Sequence, residues 1–333
     1  MTQVDRDRAE AVAAAAFEAR GVAPADAATT AEVLVSADAR DKHSHGLLRL
    51  ARFVRGIEHG NVDPDGTVEV VSDAGAAATL SGGSRLGPVV ASEAVGEAMA
   101  RADGYGVGAV GAHDSNHLGM LGYYTDQVRR EGYVGVAMTN TEPAMPPYGG
   151  AEPVLGTNPI AVGIPTDPPF NLDMSTSAIA RGTVLRAKEN GERLPEGVAL
   201  DADGEPTRDP EAALEGTILP FGGPKGSGLA IAVEILAGGL VGAAMGEDVT
   251  GTYHTADPCT KGDFFLVVDP AALGDGFAER ATAFVEELKA NRTAAGFDEV
   301  RLPGEASVAR ADADRVTVDD DVWETALELA DRA

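Results

Sequence analysis

The chain has 333 residues, of which 53 are Asp or Glu and 26 are Lys or Arg, giving a formal net charge of -27. This charge argues against binding to nucleic acids or anionic membranes, because both partners need a basic surface. A single cysteine, Cys259, excludes an intrachain disulfide and a thiolate metal cluster. Acidic residues occur in every segment and lysines are few, a pattern typical of proteins that work in concentrated salt. We therefore expect a halophilic protein, with an unusually acidic mesophilic enzyme as the alternative.

The first part of the chain is predicted to be helical. Apolar spacing predicts helices at about 5–20 and 24–40, and a third that begins at Ser44 and ends at Gly60. Turn residues at 61–66 mark a boundary. The length suggests two domains. We predict a helical unit of residues 1–66, joined by a C-terminal helix within 306–333, and a mixed domain of residues 67–305, so that the fold class is α/β (α+β).

Strands and helices mix after residue 66. The patterns predict a hairpin at 68–71 and 77–80, helices at 89–102, 116–130, 227–244 and 279–291, and strands at 107–112, 134–138, 160–164, 172–174 and 264–268. Residues 188–220 are predicted to be a long acidic excursion on the surface. The most apolar run, 229–245, is shorter than the ~20 apolar residues that a membrane-spanning helix needs, so it is predicted to be a buried helix. The first residues lack a signal-peptide pattern, so we expect a cytoplasmic protein.

Four of the six histidines lie in two short clusters. In the first, His45 and Arg49 are four residues apart and would share one face of the third predicted helix, which Ser44 is expected to cap. A proton carrier and a fork-shaped cation near a helix start suit a small carboxylate substrate. An ordinary surface helix is the alternative interpretation.

The second cluster contains His117, which is predicted to lie where a strand passes into a helix. Catalytic groups of α/β folds are often exposed at such a point. Asn116 beside it can orient the ring or bind substrate oxygens. The histidine spacings also permit a metal site completed by Asp41, Asp114 or Glu142, but no H-E-x-x-H pattern occurs, so we predict no metal.

Two glycine-rich segments have different predicted roles. Residues 106–111 match G-x-G-x-x-G, but they lie inside a predicted strand, so they indicate close strand–helix packing and not a Rossmann fingerprint. Residues 222–228 form a turn with Lys225 before a long helix, where backbone N–H groups and a lysine can bind phosphate. The small polar residues at 175–177 can wrap a second phosphate or a ribose.

Taken in order, these blocks resemble the malate/L-lactate dehydrogenase family of the second type. This non-Rossmann group also includes ureidoglycolate dehydrogenases, L-sulfolactate dehydrogenases and diketogulonate reductases. The resemblance runs through nearly the whole chain and rests on Ser44-His45-Gly46-x-x-Arg49-Leu50, Ser115-Asn116-His117-x-Gly119, Pro147-Tyr148-Gly149-Gly150, Gly156-Thr157-Asn158-Pro159, Asp173-Met174-Ser175-Thr176-Ser177, Ala180-Arg181-Gly182, Gly223-x-Lys225-Gly226-x-Gly228 and Leu302-Pro303-Gly304-Glu305.

The resemblance implies a homodimer with its active site near the subunit interface, a mixed sheet, and NAD or NADP bound in an extended pose by residues 67–305. It places the catalytic histidine at His45 or His117. By position, it assigns cofactor contacts to Thr141, Asp173, Met174, Ser175, Thr176, Ser177, Ala178, Ile179, Pro224, Lys225, Pro303, Gly304 and Glu305.

We therefore predict an oxidoreductase that moves a hydride between NAD(P) and a small 2-hydroxy or 2-oxo acid. A histidine acts as general acid and base, Arg49 holds the substrate carboxylate, and Ser44, Asn116, Thr157 and Asn158 bind substrate. The alternatives are a metal-dependent hydrolase or lyase that uses the clustered histidines, a catalytically silent binding or scaffold protein, and, within the redox class, an imine reductase.

Overall fold

The computed structural model of the chain describes residues 1–252 and 256–331. Its α-helices are α1 (Arg6–Glu18), α2 (Pro24–Ala39), α3 (Leu50–Glu58), α4 (Gly87–Tyr105), α5 (Leu121–Arg130), α6 (Arg181–Asn190), α7 (Pro210–Glu215), α8 (Pro224–Val233), α9 (Phe277–Lys289), α10 (Glu305–Val308) and α11 (Asp320–Ala330). Its strands are β1 (Thr2–Asp5), β2 (Glu69–Asp73), β3 (Ala77–Arg85), β4 (Val107–Ser115), β5 (Val134–Thr139), β6 (Ile160–Ile164), β7 (Phe170–Met174), β8 (Ala199–Leu200), β9 (Thr217–Ile218), β10 (Asp263–Val268) and β11 (Arg315–Val318).

The two ends of the chain share one apolar core. The Ala-rich sequence favours α1, whose buried stripe of small residues and Phe17 lets α2 pack closely against it. At the other end, β11 pairs antiparallel with β1, and Trp323 of α11 joins the same core. The pairing of β1 with β11 was not predicted, because four-residue strands carry too little periodicity to be recognised. The division into 1–66 with 306–333 and 67–305 stays a prediction, and residues 332 and 333 lie outside the described residues.

The central sheet has seven strands in the order β2-β3-β4-β10-β5-β6-β7. Only β3 and β4 run parallel, and every other neighbouring pair is antiparallel. This mixed sheet confirms the predicted α/β class and differs from a parallel Rossmann sheet. The glycines of 106–111 lie in or next to β4, as predicted. A Cβ at Gly108 would lie 2.0 Å from the carbonyl oxygen of Ala98 in α4, so glycine allows that helix to pack on the strand.

Residues 188–220 are not the surface excursion that the sequence predicted. With α6 they form α7 and the β8–β9 pair, which enclose an apolar cluster that includes Val184, Leu194 and Ile218. The apolar residues of this segment are scattered among acidic ones, so no helical or strand period marks them as a core.

The predicted buried helix 227–244 is also wrong in part. Helix α8 begins at Pro224, passes into a π-helical turn at Glu234–Gly238, and ends in a 3₁₀ turn at Gly239–Val241. One side of this segment is exposed, including Ile235 (54%) and Leu240 (62%). By length and composition alone, Pro224–Val241 is apolar enough to cross a membrane, a test that core helices of other proteins also pass.

Candidate active site

The imidazole rings of His45 and His117 meet at one point of the fold, as predicted. Their centroids are 5.7 Å apart and their planes are inclined by 40°. The predicted helix from Ser44 is wrong, because His43–His45 and Leu47–Arg49 form two 3₁₀ turns before α3. Gly46 has an extended backbone that interrupts any helix there. Ser44 therefore caps no helix, and its Oγ lies 2.9 Å from Nδ1 of His45.

Asp38 in α2 holds this turn in place. One carboxylate oxygen lies 2.9 Å from Nδ1 of His43, and the other accepts a hydrogen bond from the backbone N–H of Leu47 at 2.8 Å. A Cβ at Gly46 would lie 2.2 Å from the Asp38 carboxylate, so the motif needs glycine at this position. Burial raises the pKa of Asp38, and the bond to Asp38 raises the pKa of His43. Asp38 was not predicted, since nothing near it in sequence distinguishes it from other acidic residues.

His117 lies in an irregular loop between β4 and α5, and not at the start of the helix predicted at 116–130. The backbone N–H of Gly119 donates to Nδ1 of His117 at 3.0 Å. The amide nitrogen of Asn116 donates to the carbonyl oxygens of Ser84 and Arg85 at 2.9 and 3.0 Å. Asn116 thereby ties the loop to the end of β3 while it also lines the cleft next to His117.

A cleft opens beside His117. Its walls are formed by α3, by the loop after it and by residues 251, 252 and 257. The lining residues include Arg49, Arg52, Phe53, Asn61, Thr252 and Asp257. Nε of Arg49 donates to the carbonyl oxygen of Ser44 at 2.7 Å, which fixes the guanidinium beside the histidine turn. Burial and the charge of Arg49 lower the pKa of His45 to about 3, and the same two causes lower that of His117 well below its usual value.

A buried ion pair that the sequence did not predict lies close to His117. Nζ of Lys261 is 2.5 Å from Oδ2 of Asp263 at the start of β10, and both side chains are almost completely buried. The positive charge of Lys261 contributes to the lowered pKa of His117. Lys261 and Asp263 carry no recognisable motif, so only the sheet register brings them to the site.

Asn158 is a correction to the predicted substrate contacts. Its side chain is fully buried, its amide nitrogen donates to Glu234 at 2.6 Å and to the carbonyl of Ala230 at 3.0 Å, and its oxygen accepts from the N–H of Thr141 at 3.2 Å. An amide that is buried and bonded at both atoms holds the fold together and cannot reach a substrate. Thr157 is half-buried, and its N–H donates to Oγ1 of Thr141 at 3.0 Å.

The predicted cofactor residues at 173–179 lie beside the glycine turn. The backbone of Phe221 donates to Thr176, and that of Ala178 donates to Leu219, at 3.0 and 2.7 Å. Asp173 accepts the N–H of Gly122 at 3.0 Å, which connects this surface to the helix after His117. The side chain of Thr176 is a correction, because it is fully buried and bonded to the carbonyl of Thr157 at 2.8 Å. Ile179 likewise packs into the apolar cluster around Leu194.

The glycine turn before α8 presents an exposed lysine. Gly222 and Gly223 have φ values of 57° and 61°, which glycine adopts without strain, and they lead into α8 with Lys225 exposed in its first turn. Pro224 has no N–H, and the backbone N–H groups of Lys225, Gly226 and Ser227 donate to carbonyl oxygens of residues 221–223. The exposed ammonium group of Lys225 is therefore the donor of this turn that can meet an anionic phosphate.

The segment 303–305 lies next to β7. The backbone of Asn171 donates to Pro303 at 3.1 Å, and a Cβ at Gly304 would lie 2.1 Å from the carbonyl oxygen of Asn171. Glu305 pairs with Lys289, and this pairing lowers the pKa of its carboxyl group. Backbone hydrogen bonds thus connect residue 303 to β7, and residues 176 and 178 to the turn before α8, while the cofactor contacts stay a prediction.

The histidines do not assemble a metal site within residues 1–252 and 256–331. There, no group of three or more His, Cys, Asp or Glu side chains is placed to hold an ion. His113 pairs instead with its neighbour Asp114 at 2.9 Å.

Comparisons with known proteins identify the family to which this chain belongs. The family model of malate/L-lactate dehydrogenase matches residues 4–326. The chain belongs to the malate/L-lactate dehydrogenase family. It is 43% identical over 306 residues to the L-sulfolactate dehydrogenase of Methanothermobacter thermautotrophicus, covering 90% of this chain and 88% of the relative. It is 42% identical to the malate/(S)-sulfolactate dehydrogenase of Methanothermus fervidus, covering 95% and 93%.

Solved structures agree with the family assignment. The sulfolactate dehydrogenase of Methanocaldococcus jannaschii superposes with a TM-score of 0.94 at 37% identity, over 99% of this chain and 97% of that one. Some relatives carry a cofactor in their names. The (2R)-3-sulfolactate dehydrogenase (NADP(+)) of Chromohalobacter salexigens is 37% identical, over 89% of this chain and 88% of its own. The ureidoglycolate dehydrogenase (NAD(+)) of Escherichia coli (strain K12) is 32% identical, over 90% and 87%. Membership of this family makes the chain a 2-hydroxy acid oxidoreductase and argues against the metal-dependent hydrolase alternative.

Proposed function

We propose that this enzyme interconverts a small 2-hydroxy acid, of the malate or sulfolactate kind, and its 2-oxo acid with NAD or NADP. The observation that supports the proposal most directly is the 5.7 Å approach of the His45 and His117 rings with Arg49 beside them. The reaction needs a group that holds a carboxylate and a group that moves the proton of the hydroxyl. These three side chains supply both.

Arg49 holds the substrate carboxylate. Its guanidinium is oriented by the bond from Nε to the carbonyl of Ser44, so little freedom is lost when it pairs with an anion. A guanidinium forms short, charge-assisted bonds to a carboxylate and fixes its plane. The hydroxyl or keto carbon next to that carboxylate is then held close to the two imidazole rings.

His45 carries the proton, and His117 acts as a neutral donor. Nδ1 of His45 faces the hydroxyl of Ser44, which can donate or accept, so this ring can be protonated or neutral. Nδ1 of His117 faces the N–H of Gly119, which can only donate, so the neutral ring carries its proton on Nε2. Protonating both nitrogens of His117 would turn two N–H groups toward each other. His117 therefore orients and polarises the substrate oxygen while His45 exchanges its proton.

Substrate binding is expected to raise the pKa of His45. After burial, the charge of Arg49 is the next cause of the low pKa of His45. A bound carboxylate neutralises that charge, so the pKa of His45 rises when the acid binds. Binding of the 2-oxo acid is then accompanied by uptake of a proton, the one later delivered to the product hydroxyl.

Lys225 is proposed to bind a cofactor phosphate, with residues 173–175, 177, 178 and 303–304 along the rest of the dinucleotide. The exposed ammonium group of Lys225 beside the glycine turn supports this assignment. The cofactor supplies or accepts the hydride. The chain's own residues hold the acid and move the proton.

The test is a panel of 2-oxo acids with NADH and NADPH in concentrated KCl, followed by loss of nicotinamide absorbance. His45→Ala should lower kcat by ~10²–10⁴-fold and remove the pH dependence of kcat. His117→Ala should lower kcat by ~10²–10³-fold but keep that pH dependence, because it removes only a fixed donor. His113→Ala is the control and should resemble the wild type. Near-normal turnover in both site variants would refute the mechanism, and the reverse pH behaviour would exchange the two roles.

The proposal includes a homodimer. Ile231, Ile235, Leu240 and Met245 are exposed on or just after the α8 segment, and a second copy of the chain would cover such an apolar surface. A cytoplasmic location and adaptation to concentrated salt belong to the same proposal. Sedimentation of the wild type should give a dimer and Ile235→Glu a monomer, whereas a monomeric wild type would refute the assembly.

A further inference from the structure

An exposed tyrosine ring lies against the glycine turn that leads into α8. A Cβ added to Gly223 would lie 3.3 Å from Cε2 and 3.7 Å from Cδ2 of Tyr148, so the ring is in direct contact with this glycine. The rest of the ring faces water, because the residue is 67% exposed. An aromatic ring that is supported from below and open above can accept a second planar ring.

The backbone around Tyr148 fixes the position of the ring. The N–H of Gly150 donates to the carbonyl oxygen of Pro147 at 2.8 Å, which closes a β-turn. Gly149 is the third residue of this turn and has a φ of 87°, as a type II turn requires there. The N–H of Tyr148 donates to Oγ of Ser227, a buried residue of α8, at 2.9 Å. The turn is thus attached to the helix beside it, so little backbone freedom is lost when a ligand binds.

The ring shares this part of the surface with the lysine that is proposed to bind a cofactor phosphate. Lys225 follows Gly223 by two residues and is exposed in the first turn of α8. Gly222 and Gly223 add no side chains that would separate the ring from the ammonium group. An aromatic face and a cation close together suit a nucleotide, because the base stacks on the face and the phosphate pairs with the cation.

The glycine turn belongs to the adenosine end of the dinucleotide. The nicotinamide must lie at the paired histidines, because hydride transfer requires contact with the reacting carbon of the acid. The charges of Arg49 and Lys42 contribute to the low pKa of His45, and the charge of Lys225 does not. Lys225 and the ring beside it therefore lie away from the reacting centre, where the adenine is the planar group of the cofactor.

We propose that Tyr148 stacks on the adenine ring of NAD or NADP. This role rests on the proposed function, and it gives the motif at residues 147–150 a contact that the sequence did not assign. Because the stacked ring is remote from the transferred hydride, Tyr148 contributes to cofactor binding and not to the chemical step. Removing it should raise the Kd of the dinucleotide and leave kcat at saturating cofactor nearly unchanged.

The experiment measures Kd by fluorescence titration with NADH and with NADPH at one fixed KCl concentration. Reduced nicotinamide mononucleotide is the matched probe, because it lacks the adenine. Tyr148→Ala should raise the Kd of the dinucleotide that the wild type binds by ~5–50-fold, the effect of losing one aromatic–base stack. The Kd of the mononucleotide should change by less than ~2-fold.

Two further variants separate stacking from other effects. Tyr148→Phe keeps the ring and removes only the hydroxyl, so its Kd for the dinucleotide should stay within ~2-fold of the wild type. Tyr105→Ala removes a similarly exposed ring at the end of α4 and is the control, which should bind both probes as the wild type does.

Three results would overturn the inference while leaving the proposed function intact. One is an unchanged Kd for the dinucleotide in Tyr148→Ala. Another is an equal loss for the mononucleotide, which would place the ring at the nicotinamide. The third is a change of oligomeric state in sedimentation, which would assign the ring to the subunit contact. A wild type that binds neither NADH nor NADPH would instead refute the proposed function itself, and this inference with it.

Discussion

Replacing Gly46 by alanine is expected to damage both the stability and the activity of this enzyme. The added Cβ would lie 2.2 Å from Oδ1, 2.3 Å from Cγ and 2.4 Å from Oδ2 of Asp38. Asp38 cannot simply rotate away, because it is almost completely buried and its two oxygens are bonded to His43 and to the backbone of Leu47. Either those bonds break or the histidine turn moves.

The size of the effect follows from the two bonds. A hydrogen bond to a charged group contributes ~1.5–3 kcal/mol, so loss of both costs ~3–6 kcal/mol. The side chain of His43 is one-third exposed, and water replaces part of its bond, so we expect a value near the lower end, ~3 kcal/mol. If the turn moves instead, a displacement of ~1 Å at His45 should lower kcat/KM by ~10²-fold.

Urea unfolding in concentrated KCl and steady-state kinetics measure the two effects. Gly96→Ala is the matched control: it is exposed in α4 with nothing within 4 Å of its new Cβ, and should gain ~0.5–1 kcal/mol. In Asp38→Ala the obstacle is gone, so adding Gly46→Ala to it should cost less than ~0.5 kcal/mol. Additive effects of the two changes, or a Gly46→Ala variant as stable and active as the wild type, would refute the reasoning.

Three further outcomes are expected. The stabilisation that protonated His43 gains from Asp38 should be fully present below pH ~6.5 and should be lost as the pH rises through the raised pKa of His43. In urea unfolding, the free-energy difference between the wild type and His43→Gln should therefore shrink toward alkaline pH. A difference that stays constant with pH would contradict this. Glu234→Gln should cost ~2–4 kcal/mol, because it replaces a buried acceptor of the Asn158 amide, while the exposed Glu247→Gln should stay within ~0.5 kcal/mol. The Tm should rise when the KCl concentration is increased from ~0.2 to ~3 M, because counterions screen the repulsion between acidic side chains on the surface. A Tm that does not depend on salt would contradict halophilic adaptation.

Local sequence signals were sufficient for much of the secondary structure. The strand at Ile160–Ile164 was predicted with its observed bounds, and the helix at Pro24–Ala39 was predicted to within one residue. Such elements are determined by short-range periodicity, a proline at the helix start and glycines at the ends. The segment after Gly223 was harder, because its apolar pattern continues through a π-helical turn and does not reveal that one side is exposed.

The candidate site was predicted only in part. The sequence determined that His45, Arg49 and His117 belong to motifs with chemical meaning, and the resemblance of those motifs to one family determined the class of reaction. Only the tertiary structure decided that the two rings lie 5.7 Å apart, that Asp38 holds the first turn and that Asn158 is buried. These contacts join residues far apart in the chain. They depend on the packing of α2 and on the register of the central sheet, which no local pattern encodes.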